Sequence, residues 1–500
     1  MVDRSVTAGT NYVNVLLLFC LSENGGHMNE FVRNLCVVTA DACSLRAQMA
    51  AGELTPALLV EQQLARLDVV NPRINAAVEV LRDSAQAEAV APPDGPLSGL
   101  TCSVKETIGI AGHPVTAGSL RMRPIDVAQD STVVHRLRAA GALILARGNV
   151  PEFAMTAESS NPRYGRTGNP LDPDRVAGGS SGGDAALVAA GAVSFAVGSD
   201  ILGSIRIPAA FCGVVGFKPS SAAVPKQGTW PALDGFSDSW LAIGPLTRSV
   251  RDARLVYQVL ADVELPSPPL QPRLVTAPDF PLDCESAAIG AARAAAEQAL
   301  AAADYAVDPQ QFAEARARYG DLATMMLHDM QDDWYRLLGS GGTPFSLLAE
   351  LGAKLAGRPT IDHGLLMWLL HGATIGRLTL PRGARAAERL IGRFLSARQR
   401  IREVLGEDGV LLLPTMGLLA PLHGEMNRRT LKPGFNPLIS PLALCNYADL
   451  PAIALPAWHY ADPESGLPPS VMLAAAPGNE AGLFAAAALV EQAIGRLPSP

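Results

Sequence analysis

A helix, a glycine that stops it and a largely apolar strand follow one another twice in this chain, and that unit decides what the chain can fold into. Ser131 can cap a helix running through Arg138, with Val133, Val134 and Leu137 on one face; Gly141 ends it and Ala142–Ala146 follows as a strand. Asp184–Ala190, Gly191 and Val193–Val197 repeat the pattern. Strands this apolar are buried, so the expected class is α/β, a sheet with helices packed on it. Upstream, Thr55 and Pro56 start a helix over Ala57–Leu67, with Leu58, Leu59, Leu64 and Leu67 at helical spacing. Past the proline-rich linker Leu265–Pro272, a strand is expected at Arg273–Ala277 and an alanine-rich helix at Ser286–Ala303. Residues 311–405 read as mostly helical, rich in Met, Leu and Trp; Val410–Leu413 and Ala452–Leu455 read as buried strands. Strands on both sides of that helical stretch predict one sheet completed from both ends. No internal repeat is present.

Composition narrows the function. At 500 residues, 48% apolar and 18% charged, the chain can bury a sizeable core. Forty basic against 48 acidic side chains give a net charge of −8, which argues against a nucleic-acid footprint. Seven scattered cysteines, with no Cys-x-x-Cys, point to a reduced, cytoplasmic protein with neither a disulfide scaffold nor a metal site. Near the N-terminus, Val13–Leu21 is apolar but only about half the ~20 residues that span a membrane, so no integral span is expected. Arg4 could begin a signal peptide, but no matching cleavage site follows, and Met28 offers an alternative start. Residues 1–27 are therefore treated as an uncertain extension.

Two serine-bearing loops carry the chemistry. Ala177–Asp184 (AGGSSGGD) sets four glycines around Ser180 and Ser181, and Gly198–Arg206 (GSDILGSIR) follows the strand at 193–197. Glycines let backbone N–H groups converge on an anion or oxyanion, and a serine beside them is suited to acyl transfer. A phosphate-binding loop would need Gly-Lys-Ser/Thr at its end, where Gly-Gly-Asp stands. Gly178–Gly182 fits the Gly-x-Ser-x-Gly nucleophile elbow, but an elbow follows a buried strand and Asn169–Arg175 is polar and proline-broken. A plain glycine–serine surface turn is the remaining local reading. His113, His328, His363, His371 and His459 have no spacing that forces a His–Asp pair and are read as structural.

From Val176 through Lys218 the chain resembles the core of the amidase signature family, serine amidohydrolases with a Ser–Ser–Lys triad. Ser103–Ser119, Leu137–Phe153, Glu158–Pro170 and Gly244–Ala253 follow the same pattern, and weaker similarity runs from about Asp41 to Glu491. Glu158–Pro170 and Gly198–Lys218 look most like bacterial relatives of the fatty-acid amide hydrolases. The resemblance implies the α/β amidase signature fold, one large mixed β-sheet core covered by helices on both sides, as a single amidase domain over 28–500, with a catalytic core at about 95–255 and a substrate-pocket region at about 311–405. It makes Ser204 the nucleophile, Ser180 the bridging serine after a cis bond from Gly179, and Lys105 the base. Backbone amides of Ile201, Leu202, Gly203 and Ser204 would form the oxyanion hole; Ser181, Asp200 and Arg206 would support the loop. Glu106 is expected to point away from Lys105, since its charge would oppose a neutral amine. The implied substrate is a small or lipophilic carboxamide, with no cofactor, no nucleic-acid partner, and a homodimer as the assembly kept in view. A glutaminase-like amidotransferase subunit is the alternative, although Ser220–Gly228 lacks the expected continuation. Two positions depart from the family pattern. Met472 stands where glutamine is common. Leu202 replaces a glycine, and at positive φ it would cost about 1–2 kcal/mol, which keeps a non-catalytic scaffold open as a third reading.

Overall fold

The structure is a computed structural model, and it describes residues 40–498 except 234, 279–283, 313–318, 377–382 and 430–434. The expected extension at 1–27 lies outside the described residues. The first strands are β1 (Ala77–Val80), β2 (Thr101–Lys105), β3 (Leu143–Gly148) and the short pair β4 (Ser160–Asn161) and β5 (Gly165–Arg166). There follow β6 (Phe195–Asp200), β7 (Val215–Lys218), β8 (Ala242–Thr247), β9 (Arg273–Thr276) and β10 (Ala306–Pro309). The last are β11 (Gly409–Pro414), β12 (Ala452–Pro456) and β13 (Ser470–Ala475). All but β4 and β5 join one 11-stranded sheet in the order β1-β3-β2-β6-β8-β7-β12-β13-β11-β9-β10. The sheet is mixed: β3, β2 and β6 run parallel, as do β11, β9 and β10, and all other neighbours in it are antiparallel.

Helices fill both faces, and the strands show why. Along β11, Val410 and Leu412 belong to one apolar cluster and Leu411 and Leu413 to another. On β3, Ile144 and its neighbours Leu143 and Leu145 divide the same way. Alternate side chains project to opposite faces, so a strand apolar throughout needs cover twice over. The helices include, in chain order, α1 (Pro56–Ile74), α2 (Thr132–Ala139), α3 (Gly182–Ala189), α4 (Arg206–Cys212), α5 (Val250–Ala261) and α6 (Ala287–Ala302). After them come α7 (Tyr319–Leu338), α8 (His363–His371), α9 (Ala384–Leu405), α10 (Phe435–Tyr447) and α11 (Glu480–Ile494). One face is covered by α2, α5, α6 and α11. The other is covered by α1 and α3 over its first half and by α7, α8 and α9 over its second.

Local signals position these pieces. Thr55 Oγ1 accepts from the Leu58 amide at 3.2 Å with Pro56 at the first helical position, and Ser131 and Ser286 cap α2 and α6. Helix α1 runs on to Ile74, past its expected end, and the strand expected at 193–197 sits two to three residues later as β6. Among the described residues no helix is long and apolar enough to cross a membrane.

Candidate active site

The site lies where β2 and β6 end side by side. Lys105 is the last residue of β2 and is completely buried. Its Nζ donates to Ser180 Oγ at 2.7 Å and to Ser199 Oγ at 2.9 Å, with the Ser199 carbonyl at 3.4 Å. Burial pushes the amine down to about 8, because a charged ammonium loses its water there; the carboxylates of Asp184, Asp200 and Glu106 pull the other way. Ser180 is buried in the loop before α3, and the Gly179–Ser180 bond is cis. No motif marks Ser199 or Asp184 as part of this cluster, although both fall inside the two serine loops. Their places come from the end of β6 and the first turn of α3 meeting β2 in space, which spacing along the chain does not reveal.

Ser204 belongs to the turn between β6 and α4 and is half-buried, whereas Ser180 and Ser181 are closed off. The two serine loops are stitched together by the Ser181 amide, which donates to the Ser204 carbonyl at 3.1 Å; Ser181 Oγ lies 3.4 Å from the Ser199 carbonyl. Lys105 and Ser180 are thus already joined, while the Ser204 hydroxyl makes no hydrogen bond among the described residues. Catalytic contacts are often completed only when substrate arrives.

The Ser204 turn is held from beneath by Asp200 and Arg206, both completely buried. The guanidinium grips the carboxylate twice, Nε to Oδ2 at 3.0 Å and Nη2 to Oδ1 at 3.1 Å. Arg206 also donates to the Leu442 carbonyl (3.1 Å), to Asn446 Oδ1 (2.6 Å) and to the thioether of Met472 (3.3 Å). Burial raises the Asp200 carboxyl, but the Arg206 charge and hydrogen bonds outweigh it and hold the group well below the usual carboxylate range. Asp200 in turn accepts from the amides of Gly203 (2.7 Å) and Ile205 (3.2 Å).

Two expectations change here. The Gly203 amide, grouped with the oxyanion donors, is committed to Asp200, whereas those of Ile201, Leu202 and Ser204 donate to no acceptor among the described residues. The left-handed backbone falls on Gly203, at φ 104°, and not on Leu202. A Cβ at 203 would come within 2.9–3.0 Å of Leu442 and Ile207, so glycine is needed there and leucine is tolerated one residue earlier. The strain that motivated a non-catalytic reading is absent.

Glu106 is fully buried, and its carboxylate is held by the Thr116 amide (2.6 Å), Thr116 Oγ1 (2.7 Å) and the Ala117 amide (3.1 Å), with Arg147 at 3.7 Å. It sits in a separate, compensated pocket. His113, His328 and His459 face Glu79, Asp329 and the Ala493 carbonyl, none of them at the Lys105 cluster. Among the described residues no strand leads directly into Ser180, so the elbow lacks its structural context.

A family model described as Amidase matches residues 58–298. A glutamyl-tRNA(Gln) amidotransferase subunit of Streptomyces avermitilis is 36% identical over 253 residues, 47% of this chain and 50% of that protein. The chain spans about half the length of the curated relatives it matches. A crystal structure of an amidase is similar over 91% of this chain and 100% of its own, at TM-score 0.77 and 28% identity. A fatty acid amide hydrolase structure, at 20% identity and TM-score 0.72 over 92% of this chain and 86% of its own, shares the fold.

Proposed function

We propose that this chain, matched by a family model described as Amidase over residues 58–298, is an amidase that hydrolyses the C–N bond of a carboxamide through an acyl-enzyme on Ser204. The dehydrated Lys105 amine, 2.7 Å from Ser180 Oγ, carries this reading. A neutral amine can take the Ser204 proton through Ser180 as the Ser204 oxygen attacks the carbonyl. Negative charge on the carbonyl oxygen would fall to the amides of Ile201, Leu202 and Ser204. The proton then passes to the leaving amine, and water releases the acid. The side chains of Ile201 and Leu202 pack against the apolar cluster built from Met325, Met330, Trp334 and Leu365. That contact supports helices α7–α9 as the acyl-binding region and an apolar acyl group as substrate. We place the protein in the cytoplasm, supported by Cys43, Cys102, Cys212 and Cys445, which stand as thiols outside any disulfide.

Reaction of the purified protein with a fluorophosphonate, followed by peptide mapping, tests the assignment. An adduct on Ser204 together with turnover of aliphatic or aryl amides is expected. An adduct on Ser180 alone, or none, overturns it. The amidotransferase relatives favour a second reading, glutamine hydrolysis within an assembly. Ammonia release from glutamine exceeding that from apolar amides would select it.

A further inference from the structure

One buried acid next to the base is left without a task. Asp184 stands in the first turn of α3 and is completely buried. Its Oδ1 accepts from Ser103 Oγ at 2.8 Å, and among the described residues its Oδ2 meets no hydrogen-bond donor. Along β2, Cys102 and Val104 point into the cluster under α2 and α5. Ser103 and Lys105 alternate with them and face the side where α3 lies. Register brings the acid closer still. Lys105 pairs with Gly148 of β3, and a Cβ at 148 would sit 2.3–2.5 Å from the Asp184 carboxyl atoms. The missing side chain at 148 is the notch that lets the carboxyl lie beside the lysine. The amine nevertheless donates to Ser180 and Ser199, not to Asp184.

Three acids lie near the lysine: Asp184 from α3, Asp200 from the end of β6 and Glu106 from the chain just beyond β2. Asp200 is neutralised by Arg206, and Glu106 is held by Arg147, Thr116 and Ala117. Among the described residues Asp184 makes no ion pair. Resting on the assignment of Lys105 as base, we propose that Asp184 is a positioning residue for it: the counter-charge that sets the proton affinity of the amine and stabilises the ammonium formed when the Ser204 proton arrives through Ser180.

Burial alone would leave Lys105 a weak base, and an opposite charge nearby restores its strength. Burial likewise pushes the Asp184 carboxyl up, to about 7, so the two groups titrate as a pair.

The test is the pH dependence of fluorophosphonate labelling at Ser204. In Asp184→Asn the amine loses its counter-charge, so the midpoint of the rising limb should move down by about 1–3 pH units. The plateau rate should fall as the base weakens. Ser103→Ala keeps the carboxyl but removes its donor, which raises its proton affinity; a smaller shift in the same direction is expected, and this variant serves if Asp184→Asn does not fold. A midpoint that stays put in folded Asp184→Asn, with normal labelling of the wild type, overturns the role of Asp184 alone. Failure of the wild type to label Ser204 at any pH overturns the assignment of the base, and this proposal with it.

Discussion

As the proposed base, the amine of Lys105 is useful only while it is uncharged. Below about 8 it holds its proton and cannot accept another, so kcat/KM for amide hydrolysis should rise with pH through that value. Lys105→Ala should lose roughly 10²–10⁴ in rate, the usual worth of a general base, and flatten that limb, while Ser204→Ala should abolish acyl-enzyme formation. Full activity or an unchanged profile in either variant would remove these roles. The neighbouring turn separates two residues that look equally exchangeable. Gly203→Ala must put a side chain on left-handed backbone against Leu442 and Ile207, a strain of about 1–2 kcal/mol. If the donors beside it shift, turnover should fall about 10²–10³-fold. Leu202→Gly should bring no gain in rate, because there is no strain to relieve. Steady-state kinetics and melting temperatures of the two variants check both. Lys105, Ser180 and Ser204 are legible in the sequence because motifs mark them. Ser199, Asp184 and the amide committed by Gly203 are not, since each depends on how strand ends, the start of α3 and the turn after β6 fold together.

Between the residue and the whole, the turn from β6 into α4 is supported by an ion pair that has no access to water. Removing one member leaves the other charged and buried, so Arg206→Ala should cost about 3–5 kcal/mol. Thermal unfolding would read this as a lower melting temperature, and the rate should fall with it. Arg206→Lys should recover little, since an ammonium cannot make the two-point grip on Asp200. A wild-type melting temperature in Arg206→Ala would show that the pair is not structural. The elements themselves are unevenly legible. Helices with serine or threonine caps, and strands such as β11 and β12, are visible from local pattern. Interior strands β2, β7, β8 and β13 are not. β7 ends in a buried lysine, β8 contains Gly244 and Pro245, and β13 begins at a serine after Pro468 and Pro469. Each owes its form to partners far away in the chain, with β13 seated between β11 and β12.

At the level of the molecule, the two halves of the second face are joined through Glu152. Its carboxylate accepts from Ser119 Oγ and from the Asp362 amide, both at 2.6 Å, and burial pushes it up to about 7. A carboxyl whose folded pKa exceeds its unfolded value contributes stability at low pH and loses it as pH rises through the folded value. Glu152 should therefore lower the melting temperature between about pH 4.5 and 7, and Glu152→Gln should flatten that part of the curve. An unchanged slope in the variant would exclude this. That one sheet is closed from both ends is readable from the strands flanking the helical stretch. Which distant side chains meet at its centre is not.

Arg206 finds its remaining acceptors 236, 240 and 266 positions further on, at Leu442, Asn446 and Met472. During synthesis on the ribosome, the serine turn emerges long before the groups that hold its foundation. A nascent chain halted ahead of Leu442 would carry every residue of the proposed triad and still lack the seat beneath them. Competence should thus arrive late, only after Leu442, Asn446 and Met472 have joined the fold.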